Sequence, residues 1–124
     1  MYSVVITKQA EEDLHGIFEY ISFTLYEPGY AAHKLQKLEQ AISRLNYMPE
    51  RYKKYEEEPW AKIGLRKMPV DNYNIFYFVD NEIEQVTVLR ILYSKRDETK
   101  QLRQHQALNL DEFVLHEEIK EYVL

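Results

Sequence analysis

The spacing of apolar residues divides the first half of the chain into a strand and two helices. β-Branched residues fill Ser3–Thr7, which predicts a strand, and Thr7 is placed to cap the helix that follows. Two stripes with the i, i+3, i+4, i+7 spacing of a buried helix face come next, separated by Pro28 and Gly29. The first consists of Leu14, Ile17, Phe18, Ile21 and Leu25, and the second of Ala31, Leu35, Leu38, Ile42 and Leu45. Together they predict a helical hairpin that ends near Pro49.

The second half of the chain contains three predicted strands. Residues 63–68 form the first, and Pro69 ends this strand or sits at its edge. Apolar and aromatic residues crowd both faces of residues 73–79, which is typical of a strand buried within a sheet. Residues 80–81 supply turn chemistry, and residues 86–93 form the last predicted strand.

This order of elements, β-α-α-β-β-β, predicts an α+β fold. We expect the helical hairpin to cover one face of a small antiparallel sheet and to leave the other face for function. Residues 1–102 form a single domain in this prediction. Residues 103–124 form an acidic amphipathic C-terminal extension, whose pattern fits a helix and a strand equally well.

Composition and charge narrow the class of protein. The chain has no cysteine, so disulfides are excluded and a reducing cytoplasm is expected. No apolar run reaches the roughly 18 residues of a membrane helix, and the N-terminus lacks a signal-peptide pattern, so no membrane partner is predicted. A net charge of -5 disfavours nucleic-acid binding by the molecule as a whole. More than half of that charge lies in residues 103–124, which makes the extension a candidate to mask a local basic site.

Arg90 lies within an otherwise apolar strand, where an arginine is costly unless it is paired or faces a polar site. It therefore either forms a structural ion pair, with Asp13 or Asp97 as the partner, or belongs to a functional site. Arg66, on an earlier strand, is placed to grip a phosphate or an acidic partner segment. A surface ion pair is the alternative for Arg66.

The end of the last strand carries a second group of candidates. Lys95 and Arg96 follow this strand directly, where they bind a target or form an ordinary solvated pair. Tyr93 is placed to stack on a base or to take part in proton transfer, and its alternative is an aromatic residue that closes the end of the sheet.

Residues 50–62 have no periodicity and are predicted to form a loop. Tyr52, Tyr55 and Trp60 either make a protein-binding patch there or pack the loop onto the helices. The glutamate run 56–58 is expected to be solvated. Four scattered histidines and only three glycines give neither metal-ligand spacing nor a phosphate-binding loop, so no metal and no cofactor are predicted.

The order of several short motifs resembles that of the RelE/ParE toxin superfamily of bacterial and archaeal toxin–antitoxin modules. The matching motifs lie within residues 2–102. In chain order they are Ala10, Asp13-Leu14 and Tyr20-Ile21, then Leu45 and Pro49, then Gly64-Leu65-Arg66, then Tyr73-Asn74-Ile75-Phe76-Tyr77, and last Val88-Leu89-Arg90-Ile91-Leu92-Tyr93 with Lys95-Arg96-Asp97. The resemblance implies a compact toxin that is neutralised by an antitoxin whose C-terminal part wraps around it.

The superfamily has two main activities. RelE-like and YoeB-like members are endonucleases that cut messenger RNA on the ribosome, whereas ParE-like members poison DNA gyrase. For a nuclease, the resemblance implies Arg66, Arg90, Tyr93 and Arg96 as catalytic residues. It implies Lys95, Arg96 and Arg66 as the groups that bind nucleic acid or another target.

Two nuclease positions differ in this sequence. An arginine usual on the third strand of the nucleases corresponds to Asn74, and the histidine of YoeB-like members corresponds to Leu92. The Lys95-Arg96 pair keeps a RelE-like pattern, whereas residues 64–66 and 90–97 look more ParE-like.

Three hypotheses therefore stay open. The chain is an endonuclease that cuts messenger RNA on the ribosome, a gyrase-binding poison without catalysis, or a decayed and non-toxic binding module. A cognate antitoxin is the expected protein partner of a working toxin. Packing of the extension on a second copy would give a homodimer.

Overall fold

In the described part of the chain, helices α1 and α2 lie on one face of a mixed five-stranded sheet. The computed structural model describes residues 1–94, residue 102 and the backbone of residues 119–121. The strands are β1 (Ser3–Thr7), β2 (Arg66–Val70), β3 (Tyr73–Asp80), β4 (Gln85–Tyr93) and β5 (Ile119–Glu121), and the helices are α1 (Lys8–Glu19) and α2 (Pro28–Ser43). Shorter turns are π-helical at Tyr20–Thr24 and 3-10 at Arg44–Asn46, Pro49–Arg51 and Trp60–Ile63.

The strands lie in the order β2-β3-β4-β1-β5. Strands β2, β3 and β4 are antiparallel neighbours, as the sequence predicts. Strand β1 instead runs parallel to β4, because the long connection between them, which includes both helices, lets the chain return in the same direction. Strand β5 pairs antiparallel with β1 and places Lys120 opposite Ile6. The predicted α+β fold is thus confirmed, with one parallel pair in a sheet that was expected to be antiparallel.

The ends of the helices follow mostly from local sequence signals. Thr7 caps α1 as predicted, since its hydroxyl oxygen accepts a hydrogen bond from the backbone N–H three residues later at 3.0 Å. Helix α2 begins at Pro28, where proline lacks only an N–H that has no partner in the first turn. It ends at Ser43, before the predicted end. The π-helical turn after α1 shifts the helical period, so Leu25 of the predicted buried stripe is 48% exposed.

The main core lies between the helices and the sheet. Leu14 of α1 and Leu38 of α2 pack there against the alternate residues Ile75 and Tyr77 of β3. The Tyr77 hydroxyl donates a hydrogen bond to the backbone oxygen of Pro49 at 2.6 Å. Burial raises the pKa of Tyr77 to about 12, so the phenol keeps the proton that it donates. This bond fastens the segment after α2 to the centre of the sheet.

A second core covers the opposite face of the sheet. Phe76, which lies between two residues that face the helices, packs there with Trp60, 1% exposed, and Leu65. Further buried members are Leu89, Leu92 and Leu102. The ring of Tyr55 meets those of Trp60 and Phe76 edge-on, with centroids 6.0 and 5.6 Å apart. The prediction of an open face is therefore wrong, and so is the alternative of a binding patch at Trp60, because Tyr55 and Trp60 of the 50–62 loop pack on this face of the sheet together with Leu102.

The same loop also protects an edge of the sheet. The strand predicted at residues 63–68 begins later, because Trp60–Ile63 is a 3-10 turn that ends at Gly64 with a φ of 70°. Lys54 of the loop forms an isolated bridge to Arg66 at the outer edge of β2. This contact shields backbone groups that an edge strand would otherwise expose.

Replacing the central aromatic side chain of the second core tests how much this loop contributes to stability. We expect Trp60→Ala to lower the free energy of unfolding by about 3–5 kcal/mol, because it removes a large buried side chain and leaves a cavity. Denaturant unfolding followed by circular dichroism measures the change. Phe23→Ala is the matched control, since Phe23 is 69% exposed, and it should shift stability by less than about 0.5 kcal/mol. Equal effects of the two substitutions would contradict a second core.

Candidate functional site

The end of β4 is tied to α1 by the Asp13 carboxylate. Asp13 Oδ2 accepts a hydrogen bond from Arg90 Nε at 2.8 Å, and Oδ1 accepts one from Arg90 Nη2 at 3.0 Å. The backbone N–H of Ile91 also donates to Asp13 Oδ2, at 2.9 Å. A two-pronged guanidinium–carboxylate pair fixes the orientation of both partners. The ion pair of Arg90 with Asp13, one of the two alternatives from the sequence, is thus confirmed.

This ion pair is partly shielded from water, since each side chain is only 15% exposed. Burial raises the pKa of Asp13, and the hydrogen bonds from Arg90 and from the Ile91 backbone oppose that rise. The hydrogen-bond donors, rather than solvent, are therefore what favour the charged form of this carboxylate. The guanidinium of Arg90 binds a carboxylate of the protein itself. The catalytic role predicted for Arg90 stays a prediction.

Arg66 also bonds to groups of the protein itself, on β2, the other antiparallel neighbour of β3. Its Nη1 donates hydrogen bonds to the backbone oxygens of Tyr52 at 2.7 Å and of Glu50 at 3.1 Å. Its Nη2 lies 3.5 Å from the Glu50 carboxylate, and the Arg66 side chain is 12% exposed. The guanidinium thus joins β2 to the loop after α2. Its contact with the Glu50 carboxylate resembles the surface ion pair that the sequence offers as the alternative for Arg66. The predicted role of Arg66 in phosphate or target binding stays a prediction.

The two positions where the sequence departs from the nucleases lie opposite each other in the sheet. Asn74 on β3 pairs in register with Leu92 on β4, and the two side chains are 6% and 5% exposed. Leu92 belongs to the second core, which also contains Trp60. A residue at either position therefore lies inside the protein rather than on an open catalytic surface.

Tyr93 ends β4 and meets the ring of Tyr73 edge-on, with centroids 5.7 Å apart. Both rings are half-buried, and burial raises the pKa of Tyr73. This aromatic pair closes the end of the sheet, which is the structural alternative that the sequence offers for Tyr93. Lys95 and Arg96 follow this strand but lie outside the described residues, so their predicted roles stay predictions.

An open cleft of about 800 Å³ separates α1 and the π-helical turn from the end of β4. The Asp13–Arg90 pair lies on its wall, with tyrosine side chains around it. These tyrosines are Tyr20, Tyr30, Tyr73 and Tyr93. Sequence reasoning did not identify this cleft, although tyrosine is the commonest aromatic residue in the chain, with 11 of 17. The tyrosines come from four separate elements, and only the fold brings them together.

Lys34 of α2 also lines the cleft, one residue before Leu35 of the predicted apolar stripe. Its side chain is only 6% exposed, and its Nζ donates to Asp71 Oδ2 at 2.6 Å. Lys37 donates to the other oxygen of Asp71 at 2.8 Å. Hydrogen bonds from Lys34 and then Lys37 lower the pKa of Asp71 to about 2. The β2–β3 turn is thereby fastened to α2.

Exposed apolar side chains continue from this cleft across the turn between the helices. Phe23 and Tyr26 are 69% and 83% exposed, and Tyr20 and Tyr30 at the cleft are 54% and 50% exposed. Among the described residues, no helix is long and apolar enough to cross a membrane. The same residues hold no group of three or more His, Asp or Glu side chains that is suited to a metal ion.

A helical hairpin on a mixed sheet, with β1 inserted parallel to β4, defines the RelE/ParE class of toxins. A family model described as the ParE toxin of the type II toxin–antitoxin system, parDE, matches residues 4–98. The chain therefore belongs to the ParE toxin family. A comparison with curated proteins gives no match. The family match ends before residue 102, and the predicted division of the chain there stays a prediction.

Solved structures of related toxins share this fold. The chain is similar to the chromosomal ParDE system of P. aeruginosa, with a TM-score of 0.63, 20% identity, and coverage of 77% of this chain and 98% of that chain. It is similar to the RelBE2 toxin–antitoxin complex of Mycobacterium tuberculosis, with a TM-score of 0.53, 26% identity, and coverage of 74% and 90%. For the archaeal RelE–RelB complex of Pyrococcus horikoshii, the TM-score is 0.53, the identity 20% and the coverage 77% and 97%.

Removing the carboxylate between α1 and β4 should destabilise the protein strongly. We expect Asp13→Ala to cost about 3–5 kcal/mol, because it leaves the Arg90 charge partly buried and unpaired. Arg90→Ala should have a similar cost, and the double variant should cost less than the two together. Chemical denaturation of the three variants measures these terms. Glu12→Ala, at an exposed neighbouring position, is the control, and additive costs would show that the pair is not coupled.

The Asp71 ion pairs should make stability fall in acid. The folded pKa of Asp71 lies below the ordinary value of 3.8, so its contribution is present above that pH and is lost as the pH falls toward 2. The loss should be at most about 1 kcal/mol, because the carboxylate is partly exposed and screened by solvent. Thermal unfolding of wild type and Asp71→Asn between pH 2 and 6 measures the difference. Asparagine suits the positive φ of 52° at this position, and parallel pH profiles would refute the assignment.

Proposed function

We propose that this chain is the growth-inhibiting toxin of a type II toxin–antitoxin module and that it acts by binding a protein target, DNA gyrase. Membership of the ParE family supports this choice of target, since ParE-like members poison gyrase. The observation that carries the proposal is the engagement of both strand arginines by the fold itself. Arg66 binds loop carbonyls, and Arg90 binds Asp13.

A nuclease of the RelE type needs cations that face a phosphate as negative charge develops on it. A guanidinium that already holds a carboxylate or backbone carbonyls must give up those bonds before it can serve a substrate. Asn74 and Leu92 add to this argument, because the positions that carry arginine and histidine in the nucleases are buried here. A toxin that acts through shape and apolar contact has no such requirement.

A cognate antitoxin is the second part of the proposal. The RelBE2 structure of Mycobacterium tuberculosis and the RelE–RelB structure of Pyrococcus horikoshii are toxin–antitoxin complexes. The exposed aromatic residues around the helix turn, which include Phe23 and Tyr26, supply the kind of surface that a protein partner covers. The predicted homodimer stays a prediction beside this heteromeric partner.

An endonuclease remains the second candidate because of one sequence feature. The Lys95-Arg96 pair, which follows β4 after Ser94, matches the pattern of RelE-like members, and these two cations are candidates for phosphate contact. The experiment on the proposed function therefore has to separate the two activities with the same protein.

Induced expression of the chain should arrest growth, and co-expression of the antitoxin encoded beside it should restore growth. The purified protein should inhibit DNA supercoiling by gyrase while leaving message intact in a ribosome-dependent translation reaction mapped by primer extension. We expect Arg96→Ala to weaken inhibition by about tenfold if this cation contacts the target. Lys53→Ala, which removes an exposed lysine of the 50–62 loop, is the matched control.

Each alternative has its own result. New cuts within translated codons, lost in Arg96→Ala but not in Lys53→Ala, would replace the gyrase proposal with the nuclease. Normal growth, intact message and normal supercoiling with a folded protein would identify a non-toxic binding module.

A further inference from the structure

The outer edge of β1 is covered by the chain's own C-terminal extension. Strand β1 lies between β4, its parallel partner, and β5, its antiparallel partner, and β5 is the last strand of the described sheet. Strand β5 lies beyond residue 98, where the family match ends. The matched chain of the P. aeruginosa ParDE system is covered to 98% by 77% of this chain. Strand β5 is therefore an addition to the fold that the family shares.

The backbone groups of β1 divide between its two neighbours. The Ser3 N–H donates to the Glu84 oxygen at 3.0 Å, on the β4 side. Because the backbone groups of successive residues in a strand point to opposite sides, Val5 also faces β4, and Ile6 faces β5. The register places Ile6 opposite Lys120. These two residues therefore form a hydrogen-bonded pair, in which the backbone N–H of each donates to the C=O of the other.

An uncovered β1 edge would be well suited to pairing with another chain. Residues 3–7 carry no charge and no proline, and their three central side chains are β-branched and at most 8% exposed. Proteins protect such edges with charges, with proline or with a covering segment. The Tyr2 N–H donates to the Asn46 oxygen at 2.9 Å, so the loop after α2 closes the start of this edge. Strand β5 covers the rest, at residues 5–7.

The sequence of β5 has the charges that β1 lacks. Two of its three residues, Lys120 and Glu121, are charged, and Glu117 and Glu118 precede it in the chain. Charged residues on an edge strand oppose pairing with a further strand. The extension thus replaces an uncharged edge of the sheet with a charged one.

We propose that β5 is an intramolecular cap on the β1 edge and that it prevents a second copy of this chain from pairing there. The partner that an uncovered edge fits is β1 of another copy, because a two-fold axis brings the same surface of both copies together. Antiparallel pairing of two β1 strands would join two sheets into one. The cap keeps the protein monomeric, whichever target the toxin binds. This role differs from the homodimer predicted from the sequence, in which the extension packs on a second copy.

Proline substitutions in the full chain separate the backbone pairing of β5 from its side chains. Lys120→Pro removes the N–H that donates to the Ile6 C=O. Glu121→Pro is the matched control, because the alternation along the strand directs this N–H away from β1. Lys120→Ala removes the lysine charge and keeps the backbone N–H.

The experiment measures molar mass by light scattering over a range of concentrations, together with amide hydrogen exchange. We expect wild type, Lys120→Ala and Glu121→Pro to stay monomeric at 15.0 kDa, and Lys120→Pro to approach about twice that mass as its concentration rises. In dilute Lys120→Pro, the Ile6 amide should exchange about tenfold or more faster than in wild type. The Val5 amide, on the β4 side, should be unchanged. Circular dichroism establishes that every variant is folded.

The other outcomes overturn the proposal in different ways. A folded Lys120→Pro variant that is monomeric at every concentration would show that the β1 edge does not attract a second copy. Protection of the Ile6 amide that does not differ between wild type and Lys120→Pro would show that β5 does not cover this edge. A wild-type dimer that Lys120→Pro dissociates would show that two copies exchange β5 instead of each keeping its own.

Discussion

The three hydrogen bonds accepted by Asp13 join α1 to β4 just beyond the point where β1 stops pairing with β4. Strand β1 ends at Thr7, and from that point the side of β4 that faces α1 has no neighbouring strand among the described residues. Asp13 occupies the resulting gap, where it satisfies the Ile91 N–H and neutralises Arg90. A helix is thereby fixed to a strand by a charged group, at a distance from the sheet that leaves a cleft rather than a packed interface.

The consequences of that arrangement extend to function. The carboxylate that fixes the helix also engages the arginine that a nuclease would direct at a phosphate. Arg66 is engaged in a similar way on β2, where it holds the loop after α2. The face of the sheet that lies opposite the helices is filled by Trp60 and its neighbours. Within residues 1–94, the fold leaves accessible an aromatic cleft and an exposed helix turn.

Electrostatics and burial act together at this cleft. Burial raises the pKa of Asp13, while hydrogen bonds from two lysines lower that of Asp71, and both carboxylates hold their cations in place. Both ion pairs fasten the helical hairpin, one to β4 and the other to the β2–β3 turn. The hairpin is therefore fixed at two points, Asp13 and Lys34, and both residues line the cleft.

The sequence by itself determined the elements whose signals are local. The cap at Thr7, the apolar stripes of the helices and the two-sided apolar pattern of β3 each follow from the chemistry of nearby residues, and the motif order was sufficient to indicate the superfamily. Even the pairing of Arg90 could be limited to two acids, because a buried charge requires a counter-charge. Only the tertiary structure decided between Asp13 and Asp97, placed Trp60 under the sheet, put β1 parallel to β4 and gathered four distant tyrosines around one cleft. These features depend on contacts between residues far apart in the chain, and periodicity along a sequence carries no information about which distant surfaces will meet.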